Sequence, residues 1–154
     1  MKLGLMTAAL PKMPLPALAA WAAESGFGML EIACWPVGRK DRRYGGVSHI
    51  DVAALDAAGA KRIRAMLGGL GLGISSLGYY PNPLDPDPAQ SGAAIEHLKR
   101  VIDAAALLEV EVVGTFAGAD QAKSPAANLD DFARVWPPIV RYARERGIRI
   151  AIEN

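Results

Sequence analysis

The 154-residue sequence holds little of what staples, steers or anchors a chain. A single cysteine, Cys34, excludes an internal disulfide or a cysteine-rich zinc site and points to a reducing compartment, the cytoplasm. Neither sign of charge dominates. With 17 basic and 16 acidic residues the net charge is +1, so no global field draws the chain to nucleic acid or to an anionic membrane. No apolar run is long enough to span a bilayer. The short apolar stretch after Lys2 runs into Pro11, Pro14 and Pro16, so it reads as a buried strand leading to a proline-started helix rather than as a signal peptide. What is present, 51% hydrophobic residues and 11 prolines spread along the length, suits one folded core, too short for two ordinary domains.

Apolar periodicity switches repeatedly between short continuous runs and helical stripes, which predicts alternating strands and helices around a parallel sheet. Strands are expected at 2–7, 29–35, 72–77, 110–116 and 148–152. Between them, a first helix starts near Pro16 and buries Leu18, Trp21 and Ala22. A second carries Ala60, Ile63, Leu67 and Leu70, and a third carries Ile95, Leu98, Ile102, Ala105 and Leu108. The fourth carries Phe132, Trp136, Ile139, Val140 and Ala143, with a kink or restart expected at Pro137 and Pro138. The later strands recur about every 38 residues, the size of one strand-plus-helix unit with a working loop.

Five such strands fit either a doubly wound domain or the opening part of an eight-stranded barrel. No helix follows the fifth strand, and the turn Thr7-Ala8-Ala9-Leu10-Pro11 lacks a glycine-rich phosphate cradle, so the barrel is favoured. A barrel of this kind takes about 250 residues. Residues 1–154 are therefore expected to be the N-terminal part of a single TIM-barrel domain, an α/β truncated barrel of five strands and four helices.

Side chains alternate along a strand, so Arg149, Ala151 and Glu153 share one face and Ile148, Ile150 and Ile152 the other. With the isoleucines under the helices, Glu153 faces the barrel interior at the C-terminal end of its strand, where barrel enzymes assemble their sites. Glu31, Ala33 and Trp35 alternate likewise with Leu30, Ile32 and Cys34. Glu31 either pairs with Arg149 or Lys2 or touches substrate, the ion pair being read first, and Trp35 either walls a pocket or caps the core. His49 either meets substrate hydroxyls and donates a proton or is bound to backbone. His97 is read as a surface residue.

Arg39, Arg42 and Arg43, in a polar loop after the second strand, either bind a substrate phosphate or face water. Tyr79, Tyr80 and Asn82 follow the third strand at the face where barrel enzymes assemble their sites, Tyr79 and Asn82 as candidate substrate contacts, in a loop stiffened by Pro81, Pro83, Pro86 and Pro88. Asn82 there either bonds a substrate hydroxyl or shapes the turn.

The strand Leu30-Glu31-Ile32 with Trp35, the segment Ser48-His49-Ile50-Asp51, the run Ser75-Ser76-Leu77-Gly78-Tyr79-Tyr80-Pro81-Asn82-Pro83-Leu84 and the ending Ile150-Ala151-Ile152-Glu153-Asn154, in this order, resemble the xylose isomerase-like TIM-barrel superfamily of sugar phosphate isomerases and epimerases. The resemblance implies an isomerase or epimerase acting on a sugar or sugar phosphate. It also implies that Glu153 is one of four ligands of a divalent metal ion (Mn²⁺, Mg²⁺ or Co²⁺, with Zn²⁺ also admissible) and moves a proton beside the substrate carbonyl. The remaining ligands belong to strands six to eight, so the chain by itself is expected to be inactive. Two other readings compete: a non-catalytic half-barrel that pairs with another copy through its open edges, and an abasic-site endonuclease. The nuclease needs histidines after strands three and four, where this sequence has Leu77-Gly78-Tyr79 and Thr115-Phe116-Ala117.

Overall fold

The computed structural model describes residues 2–38 and 46–153. Strands β1 (Gly4–Met6), β2 (Met29–Ala33), β3 (Gly73–Gly78), β4 (Val112–Phe116) and β5 (Arg149–Glu153) alternate with helices α1 (Leu15–Glu24), α2 (Ala57–Gly69), α3 (Pro88–Leu107) and α4 (Pro125–Arg144). Cap chemistry starts the helices. Pro14 and Pro16 flank the first residue of α1. The carboxylate of Asp56 accepts from Gly59 N (2.6 Å), that of Asp87 from Ala89 N (2.8 Å), and the Ser124 hydroxyl from Ala127 N (3.2 Å).

Every strand pairs in parallel with its neighbour, and the order in the sheet is the order in the sequence. That order separates the two candidate architectures. A doubly wound sheet reverses direction at a switch point and so places helices on both faces, whereas successive crossovers advancing one way put all helices on one face. The buried residues follow the second pattern. Leu30, Ile32, Cys34, Leu77 and Val113 of the outer face pack in one continuous core with Leu18 and Ala22 of α1, Leu67 of α2, Leu98 and Ile102 of α3, and Trp136 and Ile139 of α4. Each such large side chain contributes roughly 1.5–3 kcal/mol on burial.

The inner face is different in kind. It carries a small separate cluster of Ala8, Ala33 and Val47 with Met6 against it. The strand register sets Ala33 beside Gly78, Gly78 beside Gly114, and Gly114 beside Ala151, a layer of small residues across four strands. In a closed barrel that layer faces the axis.

Five expectations change. Leu70, expected on the buried stripe of the second helix, is exposed at the C-cap of α2. Trp21 is 40% exposed and tilts against Phe27 (centroids 6.0 Å apart) instead of entering the core, because Leu15, Leu18, Ala19 and Ala22 already fill the buried stripe of α1. Helix α4 does not restart at Pro137 and Pro138. Both lie on its exposed side, as do Ala133 and Arg134, the residues whose carbonyls lose their helical partners and can turn to water instead. His97 is buried, its Nε2–H donated to the Cys34 carbonyl (2.8 Å) and its ring edge-on to Tyr79 (4.6 Å). Burial lowers its pKa, the bond to Cys34 working in the opposite direction. Arg149 pairs with Glu111, the residue before β4 (3.0 Å), an exposed contact, and not with Glu31.

Candidate active site at the C-terminal rim

The C-terminal ends of β2 to β5 and the loops that leave them enclose a cleft of about 710 Å³ bordered by Trp35, Tyr79, Tyr80, Phe116 and Glu153. Strand parity puts Glu31, Gly78, Gly114, Phe116 and Glu153 on the inner face. Tyr80, two residues beyond Gly78, turns its hydroxyl to the carboxylates of Glu31 and Glu153, donating to Glu31 Oε1 and lying 3.2 Å from Glu153 Oε1. Its ring leans on Phe116 (4.9 Å, 56°). Burial, and then hydrogen bonding to Glu31, push the phenol pKa well above its ordinary value, so it stays a proton donor.

Two glycines make the space. A Cβ on Gly114 would stand 2.6 Å from the Tyr80 hydroxyl, and one on Gly78 would stand 2.7 Å from Glu31 Oε1. The carboxylate of β2, the tyrosine after β3 and the carboxylate of β5 therefore meet in a hollow cut into β3 and β4.

The other wall is held by backbone contacts. Asn82 donates through Nδ2 to Ala119 O (2.9 Å), while its Oδ1 accepts from Ala119 N (3.0 Å) and Leu84 N (3.1 Å). Trp136 donates to Ala117 O (3.0 Å) from the helix side. The loops after β3 and β4 are thus tied together at the cleft.

Of the residues singled out from the sequence, Trp35, Tyr79, Asn82 and Glu153 converge on this cleft. Trp35 is half-buried and meets Tyr79 edge-on (5.0 Å, 81°), while Tyr79 is only 3% exposed and belongs mainly to the helix-side core. His49 lies elsewhere. It lines a separate shallow recess with Pro11 to Pro16 and Ser48, and it donates Nε2–H to the Met13 carbonyl (3.1 Å). Burial lowers its pKa, backbone bonding to Leu10 and Met13 acting the other way. Arg39, Arg42 and Arg43 lie outside the described residues. Sequence reasoning set Tyr80 at this face without giving it a role, and preferred for Glu31 a cation, Arg149 or Lys2, that it does not meet among the described residues. The available signal was parity: Glu31, Gly78, Gly114 and Glu153 share a face, and two adjacent glycines there leave room that a large neighbour must fill.

Among the described residues no three histidine, cysteine, aspartate or glutamate side chains gather as metal ligands would. Glu153 offers one hard oxygen donor set at the rim, which suits a divalent ion but is not a cage. No helix among the described residues is long and apolar enough to cross a membrane.

Helices on one face, small residues on the other and acidic and aromatic side chains at the C-terminal rim define a segment of a β/α barrel. The family model described as xylose isomerase-like TIM barrel matches residues 19–154, and the chain belongs to that family. Its fold is shared with D-psicose 3-epimerase, solved in the presence of D-fructose (TM-score 0.71, 18% identity, 99% of this chain and 52% of that one). It is shared also with the probable 3-DHS dehydratase AsbF of Bacillus anthracis (0.73, 15%, 99% and 52%). The IOLI protein, solved with a binding zinc atom, is a third example (0.69, 14%, 99% and 51%). The chain spans about half the length of these structures. None of the curated proteins compared with it matches in sequence.

Proposed function

We propose that residues 1–154 are the N-terminal part of one barrel domain that isomerises or epimerises a sugar or sugar phosphate by moving a proton next to a carbonyl. The observation that carries this reading is the Glu153 carboxylate at the C-terminal end of β5, on the inner face, bordering a cleft walled by Trp35, Tyr80 and Phe116. The aromatic wall suits the C–H face of a sugar, against which an indole or phenyl ring buries apolar surface without competing for hydroxyls. Glu153 takes the proton from the carbon beside the carbonyl; returning it to the neighbouring carbon isomerises the sugar, whereas epimerisation at the same carbon takes a second group, from the remaining strands, to deliver a proton to the opposite face. A divalent ion held by Glu153 and by residues of the remaining strands would supply polarisation of that carbonyl. A cytoplasmic setting agrees with the lone buried Cys34, whose thiol pKa burial pushes up strongly, leaving it unreactive.

The runner-up is a half-barrel module that closes against another copy. One experiment separates the two. The intact protein is incubated with ketoses and their phosphates in D₂O, and deuterium entry beside the carbonyl is followed by NMR. The enzyme reading expects exchange that Glu153→Gln abolishes, because the amide keeps the shape but cannot accept the proton. Absence of exchange across the panel, or unchanged exchange in Glu153→Gln, overturns it.

A further inference from the structure

The bridge between Glu31 and Glu153 has no counterpart in the residue roles so far assigned. Tyr80 carries one hydroxyl hydrogen, and two carboxylate oxygens share it in a three-centre bond: Glu31 Oε1, the nearer, and Glu153 Oε1 at 3.2 Å. Several features show that this contact is built into the fold rather than one rotamer of a loose surface side chain. The ring is seated on Phe116, the hydroxyl fills the space where a Gly114 Cβ would lie 2.6 Å away, and Glu31 Oε1 fills the space of a Gly78 Cβ at 2.7 Å. Among the described residues no cation pairs with Glu31, and Arg149 is engaged with Glu111. Tyr80 is its hydrogen-bond partner.

We propose that Tyr80 is a positioning residue for Glu153, itself locked by Glu31, so that the carboxylate of β2 sets the placement of the carboxylate of β5 through one tyrosine hydroxyl. This rests on the proton-transfer reading of Glu153. A glutamate at the end of a strand, with three rotatable side-chain bonds, otherwise samples several rotamers, and a displacement of about 1 Å at a proton-transferring group costs on the order of 100-fold in rate. Holding Oε1 beside the hydroxyl narrows that choice. It leaves the second oxygen without a hydrogen-bond partner among the described residues.

The proposal separates the roles of shape, hydroxyl and acceptor, and the intact protein can be tested on each. Tyr80→Phe keeps the ring on Phe116 and removes the hydroxyl. It should lower kcat about 30-fold and leave KM within about twofold, since the loss is in orientation at the reacting atom and not in substrate binding. Glu31→Gln retains an acceptor oxygen and should stay within about threefold of the parent, whereas Glu31→Leu should match Tyr80→Phe. The double variant Tyr80→Phe with Glu31→Leu should be no slower than either single one, because both break one chain of contacts. Independently of activity, the bridged hydroxyl should give a downfield, slowly exchanging proton resonance that survives Glu31→Gln and vanishes in Tyr80→Phe and Glu31→Leu. Normal kcat in Tyr80→Phe together with an inactive Glu153→Gln overturns the positioning role and leaves the proposed function standing. Fully additive losses also overturn it. An active Glu153→Gln instead removes the proposed function, and the positioning role with it, even if the resonance is present.

Discussion

Asn82 and Gly118 occupy adjoining space: a Cβ on Gly118, whose φ is +80°, would lie 2.5 Å from Asn82 Oδ1. Only a glycine admits both that backbone conformation and the close approach of the amide that ties Ala119 to Leu84. Asn82→Asp exchanges the Nδ2 donor for an oxygen facing the Ala119 carbonyl, and should destabilise the protein by about 1–3 kcal/mol in urea unfolding. Gly118→Ala should destabilise by a similar amount. If Asn82 served substrate hydroxyls instead, Asn82→Asp would raise KM and leave the unfolding midpoint in place.

Gly114→Ala puts a methyl group where the Tyr80 hydroxyl lies. The flexible phenol end can swing away, so the fold should survive with a loss of about 1–3 kcal/mol. Turnover should fall as in Tyr80→Phe, and a turnover equal to that of the parent would show that the hydroxyl can work from another position.

Burial holds His97 and His49 below the ordinary histidine value of about 6.5, so between their folded and unfolded pKa values the unfolded chain binds more protons. Their contribution is therefore present in full above about pH 6.5 and is lost as pH falls toward the folded values. Denaturant midpoints should decline from about pH 7 to about pH 5. His97→Gln, which keeps a donor for the Cys34 carbonyl but does not titrate, should flatten that decline. An equal slope in the variant and the parent would assign the dependence to other groups.

Neutralising Arg39, Arg42 and Arg43 together should raise KM for a phosphorylated sugar and leave that for its unphosphorylated counterpart unchanged, with kcat little altered for either. Remote anion contacts supply binding that is alike in ground and transition states, and the effect should be largest at low salt. Equal KM values before and after the change would mark the substrate as a neutral sugar or polyol.

The alternation of Ile148, Ile150 and Ile152 with Ala151 and Glu153 was enough to place Glu153 on the inner face of its strand, because the period of two is a property of the local backbone. Pro16 marked the start of the first helix for the same local reason, whereas α3 and α4 begin at Pro88 and Pro125, inside what the sequence reads as the preceding loops. His97, Glu31 and Tyr80 were not legible in that way. Whether a histidine on the edge of a helical stripe meets water or the Cys34 carbonyl depends on where β2 ends against α3. Likewise the partner of Glu31 depends on register: a shift between Leu30 and Glu31 sets Ala33 beside Gly78, and Tyr80 follows two residues further on. A single strand specifies which face a side chain takes. Only the packed sheet decides which side chain of the next strand lies level with it, and that is what turned two separated glutamates and a loop tyrosine into one cluster.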